Sequence, residues 1–468
     1  MNERTDHGTT PPRQRPRLAF AIVAVLSVLV LFLALKRRHR DSAEAAHEKS
    51  TISTQQSASS TVSPSVNPFA RNRQRAERLA SDLPPEQVVS NKLSQFARNR
   101  RAIMEAFAKK KGIEVSADVK RFFDALEAND WAQADAMFHG WMKERRERNE
   151  SNSELPPSVP WELWTVIHEA YGVAETAHDW PAQKLLEYGE TVLGSLRPGM
   201  VYVGGTDAGR YIPTLLNETS EGERHVVLTQ NAFADGSYLE YAQFLYGDKL
   251  KALTMDDSQA AFQEYMKGAQ ERVKNGTLRP GEDVKVTDNR VQVSGQVAVM
   301  TINELLLNRL MEKNPELNFA LEESFSLKST YEGAVPLGPI LELQASKEPP
   351  SQPQIAAAVD QWRGMMQNVS GDPPDSDVRK TYSHMAQAQG NYFADRGFTA
   401  EAEQTWQLSR EMCPGNPEAV NSLYQLWKRD GRVPQAEAML NEFERNYPDQ
   451  AKAAQQIRTT GVLLTTPR

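Results

Sequence analysis

Hydrophobic positions along this chain change period three times. Leu18 to Leu35 is apolar throughout, with one hydroxyl (Ser27) and no charge. Ser42 to Asn67 is Ser, Thr, Ala and Gln with too few apolar residues to bury. From Pro68 to about Leu196 the period is helical: Val88–Lys110, Val119–Leu126, Trp131–Met142, Trp161–His178 and Pro181–Leu196 each place apolar residues on one face. At Pro198 short apolar runs begin to alternate with helical ones. Met200–Val203, His225–Thr229, Phe319–Leu321 and Ile340–Leu343 predict strands, and Val284–Val286 with Arg290–Val293 a hairpin. Gly209–Glu218, Gly236–Tyr246, Ser258–Lys274 and Val297–Lys313 predict helices, the third capped by Asp256 or Asp257. Strand then helix, repeated, predicts a small α/β unit with a mainly parallel sheet. Ser346–Pro353 is a Pro-rich break, and the chain after it is helical.

The last helical stretch repeats itself. Gly390, Phe393, Gly397, Ala402, Trp406 and Pro414 are matched 34 positions later by Tyr424, Trp427, Gly431, Ala436, Leu440 and Pro448. Ala402 and Ala436 let two helices approach closely, Trp406 and Leu440 fill the next turn, and the prolines stop the second helix of each pair. These positions, Ser383 to about Gln450, resemble the tetratricopeptide repeat, although Ala386 and Val420 stand where that family has its first-helix Trp. The resemblance implies stacked helical hairpins that bind a protein partner and carry no chemistry of their own. Helix pairs stacked in this way leave a concave face suited to a peptide or helix.

The phrases VYVGGTDAGRYIPTLL, VVLTQNAFADGSYLEYAQFLYGDKL and NFALEESF in the middle of the chain resemble an uncharacterised domain of membrane-anchored, Verrucomicrobia-type bacterial proteins. They are also similar to the soluble part of membrane proteins related to protein O-mannosyltransferases. That resemblance implies an accessory domain outside the cytoplasm, without transferase activity.

The expected organisation is a basic tail (1–17), a transmembrane helix (18–35), a linker (36–67) and a helical region (68–197). An α/β domain (198–345), a Pro-rich linker (346–354), tetratricopeptide-like repeats (355–450) and a C-terminal tail (451–468) follow. The fold class is therefore mixed and mostly helical. The apolar run of 18 residues is about 27 Å long as a helix, one hydrocarbon core. Four cations follow it before Ala43-Glu44-Ala45, which argues against a cleaved signal peptide. The expected location is a single-pass inner-membrane protein with a periplasmic body.

Charge narrows the partners. The first 40 residues carry eight Lys/Arg against two Asp/Glu, so the rest of a chain of net charge −7 carries −13. An acidic body argues against nucleic acid. The run Arg98, Arg100, Arg101 and Lys109–Lys111 reads as a solvated face. One cysteine, Cys413, gives neither an intramolecular disulfide nor a thiolate cage. His139, His168, His178, His225 and His384 have no metal-ligand spacing, no GxSxG is present, and no cofactor is expected.

The candidate ligand site is Gly204, Gly205, Thr206, Asp207, Gly209 and Arg210, at a predicted strand end and helix start. Open α/β sheets bind ligands there, and free N–H groups at a helix start attract an anion. Asp207 is equally suited to cap that helix. Asn231 and Asp235 follow the next strand, and Glu322 and Glu323 a later one, so two carboxylates could share the crevice. A protein-binding scaffold is the leading reading. An enzyme, or a small-ligand or sugar-binding protein using the Gly204–Arg210 loop with Tyr202, Tyr211 and Tyr238, is the alternative.

Overall fold

The computed structural model describes residues 83–147, 156, 158–279, 281–287, 290–322, 333–343, 348–459 and 461. The expected transmembrane helix 18–35, its flanks, the linker 36–67 and Glu323 lie outside the described residues. Among the described residues no helix is long and apolar enough to cross a membrane.

The fold is mostly helical around one small sheet. Among the described residues five helices come first: α1 (Pro85–Lys111), α2 (Ala117–Glu127), α3 (Trp131–Glu147), α4 (Trp164–Asp179) and α5 (Ala182–Leu193). Ser116 caps α2 through the Val119 N–H, and Asn129 turns the chain into α3 at φ 56°. The sheet region then runs β1 (Val201–Gly204), α6 (Asp207–Glu218), β2 (Val226–Thr229), α7 (Gly236–Tyr246) and α8 (Met255–Asn275). It continues with the isolated hairpin β3 (Asp283–Thr287) and β4 (Arg290–Ser294), then α9 (Gln296–Lys313), β5 (Phe319–Leu321), β6 (Ala334–Leu337) and β7 (Ile340–Leu343).

The strand order is β2-β1-β5-β7-β6. β1 pairs in parallel with β2 and β5, but β7 runs antiparallel to β5 and β6, so the sheet is mixed and not mainly parallel. The cause is local. Leu337 pairs with Ile340 across the two-residue turn Gly338-Pro339, and a turn that short joins only antiparallel strands. The strand Ala334–Leu337 escaped the sequence reading because Pro336 sits inside it, a residue confined to edge strands, and β6 is an edge. The cap of α8 also differs from expectation. Thr254 receives the Asp257 N–H while Asp257 reaches back to the Thr254 N–H, so Asp257 is the far half of a capping box.

Six helices end the described residues: α10 (Gln352–Val369), α11 (Asp377–Asp395), α12 (Thr399–Met412), α13 (Pro417–Arg429), α14 (Val433–Asn446) and α15 (Ala451–Thr459). α10 begins inside the expected 346–354 linker, because Pro353 falls in its first turn, where a missing N–H costs nothing. α15 lies in the expected 451–468 tail. It buries Ala454 and Ile457, 34 positions after the buried Val420 and Leu423, while its outer residues are polar.

Of the positions matched at 34 residues, the helical ones are buried together: Phe393, Ala402, Ala436 and Leu440 at 0%, Trp427 at 5% and Trp406 at 6%; the turn glycines Gly397 and Gly431 and Pro448 are exposed. Gly390 is needed for the close approach, since a Cβ there would lie 2.6 Å from the Trp406 ring. Gly390→Ala is expected to force that ring aside and cost about 1–3 kcal/mol by overpacking, read as a shift in denaturation midpoint. An unshifted midpoint would mean the two helices are not in van der Waals contact there.

These helices do not stand apart from the sheet. Tyr392 donates to the Ala334 carbonyl (2.6 Å), and Gln389 donates to those of Gly338 (2.9 Å) and Ile340 (3.2 Å) while accepting from Trp362 Nε1 (2.8 Å). One apolar core therefore runs from α1 through the sheet to α15. A second joins α1–α4 to Tyr241 of α7.

Candidate functional site

The Gly204–Arg210 loop joins β1 to α6, as its sequence predicts, and its anion site is filled by the protein itself. Glu322 leaves the end of β5 beside β1 and is fully buried. Its carboxylate accepts from the Gly205 and Thr206 N–H groups (both 3.0 Å), the Thr206 hydroxyl (2.7 Å) and the Tyr188 hydroxyl (3.1 Å). The positive end of α6 and the loop amides thus hold an internal carboxylate where a ligand anion was expected. Gly209 faces the same group, and a Cβ there would lie inside the Glu322 carboxylate. Burial, with Glu322 nearby, holds the Tyr188 and Tyr202 phenols well above their ordinary value. Tyr202 donates to the Gly209 carbonyl (2.6 Å) and so fixes the first turn of α6 to β1.

Thr206, Asp207, Arg210, Asn231 and Asp235, the other described candidates with polar side chains, each have a partner in the fold. Thr206, not Asp207, caps α6, accepting from the Gly209 N–H at 2.9 Å. Its shorter side chain sits at the extended residue before the helix, whereas Asp207 is already in the first turn. Asp207 is exposed and pairs with Arg210 (2.6 Å), whose guanidinium also lies 4.4 Å from the Tyr211 ring. Asn231 donates to the Gly205 carbonyl (3.1 Å) and so ties β2 to the loop. Asp235 caps α7 through the Ser237 N–H (2.9 Å). Asp207 and Glu322 do not share a ligand. One is solvent-facing in an ion pair, the other enclosed by backbone donors. Tyr202, Tyr211 and Tyr238 are buried, so they offer no exposed ring beside the loop on which a sugar would stack. Among the described residues no group of three or more His, Cys, Asp or Glu side chains is placed to hold a metal ion.

Two features escaped the sequence reading. The first is Arg100, expected on a solvated face with its neighbours. Arg98 and Lys109–Lys111 are exposed, but Arg100 is buried. It pairs with Glu169 (2.8 Å) and Glu218 (2.5 Å), bonds Tyr241, and lies 5.0 Å from the Phe96 ring. The signal was present: Arg100 falls four residues after Phe96 and four before Met104, on the buried stripe of α1. The second is an open cleft of about 390 Å³ where the first half of α1 meets the α2–α3 and α4–α5 turns, lined by Trp131, His178, Trp180, Leu93, Glu86 and Asn129 among others. The lining comes from five helices, α1 to α5, or their ends, so no local pattern marks it.

On the repeats, the first helices α11, α13 and α15 stand side by side. A polar row crosses them. His384 meets Glu418 (3.2 Å), and Asn391 accepts from Trp406 Nε1 (3.1 Å). Asn421 donates to the Gly461 carbonyl (3.1 Å), and Gln425 to that of Ile457 (3.2 Å).

Set against protein-family models, curated proteins and solved structures, the chain matches none.

Proposed function

We propose that this chain is a membrane-tethered, tetratricopeptide-like scaffold of the bacterial envelope. Residues 18–35 form the span, the body lies outside the cytoplasm, and the repeats hold a partner protein. The observation that carries this reading is the shared burial of the matched positions in α11–α14, continued by Ala454 and Ile457 of α15. The row is closed at one end by the sheet and α10 and at the other by the polar face of α15. Terminal helices with a polar outer face stop such arrays from stacking further. The face of the first helices is then the surface left for a partner, and its amide and charged side chains suit hydrogen bonds to a polypeptide.

Small-ligand binding is the second reading. Its support is the cleft at Trp131, since the Gly204–Arg210 loop spends its donors on Glu322.

The test uses the full-length chain in its native membrane. Photo-crosslinking residues replace the exposed Asp395 and Lys428 on the first helices, with Glu442 on α14 as control. A discrete adduct from 395 and 428 but not from 442 is expected, with protease added to spheroplasts removing the body. No adduct, or equal adducts from all three positions, would reject the scaffold, and a body protected from that protease would reject its placement.

A further inference from the structure

The seam between α3 and α4 holds a phenol between two acids. Tyr171 Oη lies 2.9 Å from Asp135 Oδ1 and 3.2 Å from Glu175 Oε1. A phenol has one hydrogen and can donate it to only one of them. The other contact sets oxygen against oxygen unless that carboxyl brings its own hydrogen. His139 Nδ1 lies 3.0 Å from the same Asp135 oxygen, a second donor position for that carboxylate. No lysine or arginine is paired with Glu175 among the described residues.

The groups facing the seam come from three helices. α3 supplies Asp135 and His139. α4 supplies Tyr171, His178 and Asp179. α6 supplies Asp207, Arg210 and Tyr211. Burial pushes the Glu175 carboxyl up; Tyr171 opposes this, Asp179 and Asp207 add to it, and His139 opposes it. Tyr171 also sits in a column of stacked rings. Phe138 lies 3.7 Å from it and Trp131 5.5 Å, Trp164 stacks on Phe138, and His178 on Trp131. Trp131 and His178 are walls of the 390 Å³ cleft.

We propose that the Asp135–Tyr171–Glu175 cluster retains a carboxyl proton on Glu175, and that releasing it loosens α3 from α4 and reshapes the cleft at Trp131 and His178. The proton leaves to solvent, and the products are two carboxylates competing for one phenol hydrogen. The folded chain then binds more protons than the unfolded chain above the ordinary glutamate value of 4.5. The cluster's contribution to stability therefore falls as pH rises from that value through the folded pKa.

Melting curves of the full chain are compared with those of Glu175→Gln across about pH 5 to 8. Glutamine keeps the size and can donate to the phenol oxygen. The wild-type midpoint is expected to fall with rising pH relative to the variant. His168, pushed down to about 4 by burial, is present in both chains and cancels. Infrared spectra at about pH 6 supply a readout that packing alone does not move. A protonated-carboxyl band is expected in wild type, reduced by Glu175→Gln. It is also reduced by Asp135→Asn, which frees the phenol hydrogen for Glu175 and lets it ionise. Parallel melting profiles, or a band unchanged in both variants, would overturn the proposal.

Discussion

Replacing Glu322 with alanine is expected to destabilise the protein by about 4 kcal/mol, because several donors gathered on one buried carboxylate lose it together. Four donors converge on that carboxylate and lose their acceptor once it is gone: the Gly205 and Thr206 amides and the Thr206 and Tyr188 hydroxyls. Each buried donor left without an acceptor costs about 1–3 kcal/mol. Glu322→Gln should be much milder, about 1 kcal/mol. Its oxygen can take the place that accepts the two fixed amides. Its NH₂ then faces two hydroxyls, which can rotate to accept. Equilibrium chemical denaturation measures both variants. The order alanine far worse than glutamine is the signature of an internal acceptor that the loop donors require. Two variants as stable as wild type would show instead that the loop amides are free for a ligand.

The second large effect is expected at Arg100. Arg100→Met fills similar space but leaves Glu169 and Glu218 without their cation, and this should cost about 3–5 kcal/mol. Part of the loss should return on acidification, which neutralises the stranded acids. Burial already pushes the Glu218 carboxyl up, with the Arg100 guanidinium holding it back. Removing all three charges, as Arg100→Met with Glu169→Gln and Glu218→Gln, should recover more stability than Arg100→Met retains. A buried ion pair is costly mainly when half of it is missing. Denaturation midpoints at neutral and mildly acidic pH decide this. A single variant within about 1 kcal/mol of wild type at both would place Arg100 at the surface, as the charge run suggested.

Much of the fold is legible locally. The 3.6-residue stripes locate α1 to α5, and the alternation of Val284–Val293 locates the hairpin β3–β4. The helix Gly236–Tyr246 and the strands Phe319–Leu321 and Ile340–Leu343 fall on the predicted residues. Pro353 reads as a break in sequence but opens a helix, because proline's effect depends on whether its missing N–H falls in the first turn or later. α15 was concealed by brevity: two buried apolar residues in nine are too few to mark a helix until α13 and α14 are there to cover them.

The candidate site shows the limit more sharply. Glycines, a strand end and a helix start correctly announced a place for an anion. Whether that anion comes from outside depends on Glu322, 117 residues after Gly205. Its arrival is decided by the pairing of β5 beside β1.

The sequence alone determined the helical period, the 34-residue match, the strand–loop–helix at Gly204–Arg210 and the acidic body, because each rests on neighbours in the chain. Only the tertiary structure decided that the sheet is mixed, that Arg100 is internal, that Glu322 fills the loop and that α15 closes the row. Those outcomes depend on which distant groups meet out of water. There, a charge or donor must find a partner, and local spacing does not say which one.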